Sequence, residues 1–313
     1  MLLEFCRLEV FCYHINAANL VNGFTAINML LEKEDLIFLW MAKGFLRQSC
    51  SNRVFVRLDT GMENEVREEA LKKYCHMSFV RETYITCKKF KAFDTANYLR
   101  TFLAMPIVID EVPESVGNMK HLQYLNLSRN RTSQLPDNVS NLYNLQTLVV
   151  SGCEMLTKFP ENFMNLRSLR HFDIRDTCLW NMLPLGIGEL KGLQILSNII
   201  VGENDDFPIS GPRNLKNLHG KIYIPGLEQV KSARDTREVK LSQKMVSELE
   251  LEWRDVFHDS RNETLENEVL SALMPHSDYL IDLSTESYGD KPLQKLYVST
   301  TTWEPSITQE VVS

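Results

Sequence analysis

The 313-residue sequence predicts an α/β fold in which short parallel strands stack into a curved solenoid. Two periodic signatures predict it. Apolar-proline pairs recur at Val112-Pro113, Leu135-Pro136, Phe159-Pro160 and Leu183-Pro184, at intervals of 23, 24 and 24 residues. An apolar triplet recurs in step with them, as Leu122-x-x-Leu125-x-Leu127, Leu145-x-x-Leu148-x-Val150 and Leu169-x-x-Phe172-x-Ile174.

The positions between these signatures keep the same register. Three residues after each proline stands Val116, Val139, Phe163 or Ile187. Three further on comes Met119, Leu142, Leu166 or Leu190. Leu193-x-x-Leu196 opens a fourth triplet, and Leu99-x-x-Phe102 lies 23 residues before Leu122. The last two apolar residues of each triplet alternate into a core from a short strand. One copy cannot cover its own apolar face, so neighbours must stack in parallel. Proline fixes φ and has no N–H, which suits the turn leading to the convex side rather than the sheet. Intervals and pattern together are those of leucine-rich repeats. Asn130 sits where an asparagine side chain bonds the turn backbone. Cys153 and Thr177 hold the matching places in the next copies, and a looser turn is expected at Thr177.

The register decays after Gly202. Phe207-Pro208 keeps the interval, but Gly211 stands where an apolar residue should follow. Ile222-x-Ile224 and Val246-x-x-Leu249-x-Leu251 read as further strands on irregular spacing. The tail from Ser284 shows no register. Ahead of the repeats, Glu34 to Lys43 reads as a helix, with Leu36, Leu39, Trp40 and Met41 on its apolar side. Met62 to Tyr74 reads as a second helix and Met77 to Tyr84 as a strand. The expected division is 1–31 unassigned, 32–95 a small helical segment and linker, 96–283 the repeat domain and 284–313 an irregular tail.

Net charge is -7 and the isoelectric point about 5.6, which disfavours a nucleic-acid partner. The cluster Lys88, Lys89 and Lys91 reads as a solvated face. No apolar run approaches the roughly 18 residues that cross a bilayer. Glu4, Arg7 and Glu9 interrupt the stretch where a secretory signal would be apolar, so the cytoplasm is the expected compartment. The seven cysteines form no C-x-x-C pair and read as free thiols rather than a zinc site. Sequons at Asn126, Asn130, Asn138 and Asn262 matter only in a secreted chain. His171 and Asp173 share a strand face, yet no nucleophile accompanies them. His258-Asp259-Ser260 is contiguous and reads as a polar loop. Neither a catalytic nor a metal site is expected.

The non-leucine strand positions point to the concave face. Tyr124, Asn126, Arg129, Thr147, Arg170, His171, Asp173 and Arg175 are the candidate partner-binding residues. Aromatic and arginine side chains on a rigid sheet are good anchors for a protein. The competing reading is that they only solvate the face.

Several segments resemble the plant intracellular disease-resistance receptors that join a nucleotide-binding module to leucine-rich repeats, of the coiled-coil type. The stretch from Glu34-Asp35-Leu36 through Leu39-Trp40-Met41 to Gly44-Phe45-Leu46 is similar to a helix of that family's winged-helix subdomain. Met77-Ser78-Phe79 and Leu99-Arg100-Thr101-Phe102-Leu103 resemble its entry into the repeats. Gly192 to Leu196, His219 to Ile222 and Glu248 to Trp253 also match its style, as do Pro275-His276 and Tyr288-Gly289. The resemblance implies a winged-helix-like remnant before the solenoid. It also implies detection of pathogen effectors or restraint of a nucleotide switch, with an effector, a guarded host protein or the nucleotide-binding module as partner. The family holds ADP or ATP through a G-x-x-x-x-G-K-[ST] loop. Neither that loop nor the family's Met-His-Asp motif occurs here, so no cofactor is expected and the chain reads as a truncated receptor. The alternative is a generic repeat scaffold without an immune role.

Overall fold

The computed structural model describes the backbone strands 55–58, 76–79 and 294–297 and, with side chains, residues 98–103, 111–177, 183–184, 186–201, 209–253 and 262–286, the backbone of residue 104 included. The helices expected at 34–43 and 62–74, and the winged-helix remnant they would form, lie outside the described residues. So do residues 80–84 of the strand expected over 77–84.

Seven strands pair in sequence order, every pair parallel: β1 (Phe55–Leu58), β2 (His76–Phe79), β3 (Thr101–Ala104), β4 (Tyr124–Asn126), β5 (Thr147–Val149), β6 (His171–Asp173) and β7 (Ile195–Leu196). The register follows the periodicity. Phe102 faces Leu125, Leu125 faces Leu148, Leu148 faces Phe172 and Phe172 faces Leu196. All five side chains are buried, as the inward reading of the triplets requires. Where the third copy replaces leucine with phenylalanine, Phe159, Phe163 and Phe172 fill the wider layer together, their ring centroids 5.1 to 5.5 Å apart.

The repeating proline marks the convex turn. The carbonyls of Pro113, Pro136, Pro160 and Pro184 each accept the amide three residues on, at 3.0 to 3.1 Å. That bond opens a short 3-10 turn at Glu114–Asn118, Asp137–Asn141, Phe163–Asn165 and Ile187–Glu189. The opposite turn, after each strand, passes through one left-handed residue at the same place in successive copies: Arg129 (φ 58), Gly152 (φ 68) and Asp176 (φ 53). The residue after it closes the turn. Asn130 Nδ2 donates to the Leu127 carbonyl at 2.7 Å, and Thr177 Oγ1 donates to the Ile174 carbonyl at 2.8 Å. The turn at Thr177 is therefore not looser in this bond, because a hydroxyl spans the same three residues. The Cys153 thiol instead reaches back to Leu127, at 3.0 Å. Burial pushes that thiol up to about 11, against two backbone hydrogen bonds at Asn130 and Arg129.

Beyond Gly202 the solenoid continues in a second sheet of four strands: β8 (His219–Ile224), β9 (Met245–Glu252), β10 (Asp282–Glu286) and β11 (Gln294–Tyr297). The first three are parallel and the last pair is antiparallel. Backbone bonds from His219 to Gln194 and from Tyr223 to Ser197, both 2.9 Å, tie the sheets together. The strands expected at Ile222 and Leu249 are present. The tail expected to be irregular from Ser284 contributes the end of β10 and all of β11, because Leu283 pairs with the core residue Leu249 and extends the ladder.

The loss of register has a structural cause. Two α-helices take the convex side where earlier copies have 3-10 turns, and so lengthen the repeat. They are α1 (Ala233–Val239) and α2 (Glu263–Leu273). Ser232 caps α1 by accepting the Arg234 amide at 3.2 Å, and Asn262 caps α2 by accepting the Leu265 amide at 3.1 Å. Asn262, noted above only as a sequon, is thus an N-cap.

Candidate interaction face

The outward positions of β4 to β6 form one cluster. Tyr124 lies beside Thr147 and Thr147 beside His171. Asn126 lies beside Val149 and Val149 beside Asp173. Parallel neighbours stand about 4.8 Å apart, so these side chains touch in rows. Thr147 Oγ1 and His171 Nδ1 are 3.1 Å apart, and Asn126 Nδ2 donates to Tyr124 Oη at 3.3 Å. Asn126 Oδ1 also accepts the Ser128 amide at 2.8 Å. Arg175 grips Asp173 through Nε to Oδ1 at 3.0 Å and Nη2 to Oδ2 at 2.7 Å.

The structure brings the predicted residues together except Arg129, which stands in the turn after β4 beside Gly152, and it does not expose them equally. Tyr124, Asn126, Thr147, His171 and Asp173 are buried. Arg129 and Arg170 are exposed and Arg175 is half-buried. The periodicity told which residues share the face. It could not tell that hydrogen bonding within the rows would go with near-complete burial. Burial also pushes the His171 imidazole down to about 4. The charges of His219 and Arg170 act in the same direction, and a side-chain hydrogen bond with Gln194 opposes them. His171 is therefore neutral at physiological pH.

The same face continues onto β8 to β10 with different chemistry. Glu248, Glu250 and Glu252 alternate with the core residues Leu249 and Leu251. Cross-strand, Glu248 faces Asp282 and Glu252 faces Glu286. Lys221 Nζ meets Glu250 Oε2 at 3.0 Å, and Tyr223 Oη donates to Glu252 Oε2. Sequence reasoning singled out none of these as face residues. The signal was the alternation Glu-Leu-Glu-Leu-Glu over 248–252.

Among the described residues, no group of three or more His, Cys, Asp or Glu is placed to hold a metal, and no helix is long and apolar enough to cross a membrane.

The model of the leucine-rich repeat region matches residues 110–265. The chain belongs to the leucine-rich-repeat proteins. Its relatives are plant disease-resistance proteins. This leucine-rich-repeat chain is 27% identical over 335 residues to the disease-resistance RPP13-like protein 1 of Arabidopsis thaliana, covering 82% of this chain and 32% of that one. It is 28% identical over 299 residues to the disease-resistance protein RGA2 of Solanum bulbocastanum, covering 79% and 30%. The chain spans about a third of the length of these curated relatives. Among solved structures, the Leptospira interrogans leucine-rich-repeat protein LIC12759 aligns over 75% of this chain and 56% of that one, with a TM-score of 0.48 and 16% identity.

Proposed function

We propose that this chain is the recognition and regulatory module of a plant immune receptor and binds a protein partner along the sheet face of β4 to β7. One observation carries the reading: an unbroken parallel ladder sets the side chains of successive repeats next to one another on one face, in a chain whose relatives are disease-resistance proteins. The guanidinium groups of Arg129, Arg170 and Arg175 make the contact. Tyr124, Asn126, Thr147, His171 and Asp173 hold the platform beneath them. Three arginines favour a partner surface with carboxylates, since a guanidinium fork matches a carboxylate in two places. That partner is a pathogen effector, a guarded host protein or a nucleotide-binding module of the receptor type. The chain acts in the cytoplasm, catalyses no reaction and binds no nucleotide cofactor of its own.

The test is co-precipitation of the tagged chain with candidate effectors and with the nucleotide-binding module of a relative. Arg170→Ala/Arg175→Ala is compared with the parent, and circular dichroism verifies the fold of both. Loss of capture in the folded double variant supports the reading. Equal capture by both proteins places the contact elsewhere.

A further inference from the structure

The convex side carries a feature that the interaction face does not use. A groove of about 630 Å³ runs between α1 and α2. Arg237 and Lys240 line one wall, from the end of α1 and the turn after it, with Ser242 beyond them. Thr264, Asn267 and Glu268 line the other, from α2. Arg237 and Lys240 are exposed, and neither has a carboxylate partner among the described residues. The neighbouring acid on α1, Glu238, is turned away to Arg213 at 3.4 Å.

A second observation adds to the positive potential there. Lys244, at the end of the turn that follows Lys240, is 2% exposed and also has no carboxylate partner among the described residues. Its turn bond shows what position it holds. The Lys244 amide donates to the Leu241 carbonyl at 3.0 Å, as Leu145 does to Leu142 and Leu193 does to Leu190. Lys244 thus closes its turn as those leucines do and is buried there, and the charge of Lys240 acts on it. Two cations, Arg237 and Lys240, line the groove against one lining carboxylate, Glu268. The Ser242 and Thr264 hydroxyls have no partner among the described residues.

We propose that this groove is an anion site that takes a phosphate group, with Arg237 and Lys240 as its cations and the Ser242 and Thr264 hydroxyls as further donors. The arginine fork matches two phosphate oxygens, and lysine adds a point charge. The site lies on the convex side, so it stands or falls independently of the partner face.

The test uses the full chain with inorganic pyrophosphate as probe, at constant ionic strength, read by thermal shift and calorimetry. A second arm measures co-sedimentation with phosphatidylcholine vesicles that contain or lack phosphatidic acid. Saturable stabilisation by pyrophosphate is expected. Arg237→Ala/Lys240→Ala should weaken it at least tenfold, since charged hydrogen bonds are lost. Glu268→Gln should tighten it several-fold by removing the opposing charge, a gain that a purely structural role for Glu268 would not produce. Binding confined to phosphatidic-acid vesicles, and lost in the double variant, would support the phosphate site with a lipid headgroup as its source. Absence of binding in both arms, or equal binding by the parent and the double variant, overturns the proposal.

Discussion

Thr147 Oγ1 and His171 Nδ1 lie 3.1 Å apart across neighbouring strands, and the imidazole is 4% exposed. Burial holds His171 at about 4, below its ordinary 6.5. Between those values the unfolded chain takes up a proton that the folded chain refuses, so stability falls as pH drops from about 6.5 to about 4 and levels off below. The full difference corresponds to about 3 kcal/mol. His171→Gln keeps a polar partner for Thr147 and removes the titration. Urea unfolding at pH 7 and pH 4.5 should show a smaller loss of stability in the variant than in the parent. Parallel losses in the two proteins would refute the assignment.

Lys244 closes its turn onto Leu241 as Leu122, Leu145, Leu169 and Leu193 close theirs in the regular repeats, and like those leucines it is buried. Burial first, and the charge of Lys240 second, push its ammonium down to about 8 from 10.5. The unfolded chain holds the proton more tightly, so the cost is full at pH 7 and fades as pH rises from about 8 to about 10.5. Lys244→Met has similar length and no charge. It should stabilise the chain by about 1–3 kcal/mol at pH 7 and by clearly less near pH 10.5. Urea midpoints at the two pH values check this.

Gly117 sits where two convex turns meet. A methyl group built there would lie 2.3 Å from the Asn138 carbonyl oxygen, which is backbone and cannot swing aside. At Gly192 the nearest atom to such a methyl is 3.7 Å away. Gly117→Ala should therefore destabilise by about 1–3 kcal/mol through overpacking, while Gly192→Ala stays within about 0.5 kcal/mol. Chemical denaturation of the pair separates close approach from the general effect of removing a glycine.

The sequence was most legible where each repeat obeys one short rule. Leu125, Leu148 and Phe172 are core residues because their spacing allows nothing else, and the proline carbonyls fall where the periodicity puts them. It was less legible where the convex side grows. Ser232 and Asn262 cap the two helices there, but a period of 23 or 24 residues cannot register an inserted helix. The partner face was legible as a set of neighbours and not as a surface. Alternation says that Thr147, His171 and Asp173 share a side. Their burial depends on hydrogen bonds and on packing between residues far apart in sequence, which no local pattern encodes. The acidic run on β9 was visible as alternation, yet its pairing with Asp282 and Glu286 requires knowing that β10 lies alongside.

Asp173 positions Arg175 by two routes. Its Oδ1 accepts both the Arg175 amide at 3.1 Å and the guanidinium Nε at 3.0 Å, while Oδ2 accepts Nη2 at 2.7 Å. The Asp173 side chain is 9% exposed and that of Arg175 is 32% exposed. The pair thus joins a nearly dry carboxylate to a guanidinium with one side in solvent. Asp173→Asn keeps an oxygen for the backbone amide but sets an NH2 against the guanidinium, so one charged hydrogen bond is lost and its donor is left facing another. Charge-assisted bonds contribute about 1.5–3 kcal/mol, discounted here because the arginine side is partly screened by water. A stability loss of about 1–2 kcal/mol is expected, checked by urea unfolding at neutral pH. The same substitution frees Arg175 to rotate. If Arg175 contacts a partner as proposed, capture should weaken with a faster dissociation rate, because rim charges set encounter while held charges set residence. Arg175→Lys provides the comparison: a lysine restores the charge without the two-point grip. Surface plasmon resonance that finds Arg175→Lys equal to the parent, and Asp173→Asn equal as well, would show that the fixed guanidinium plays no part in recognition.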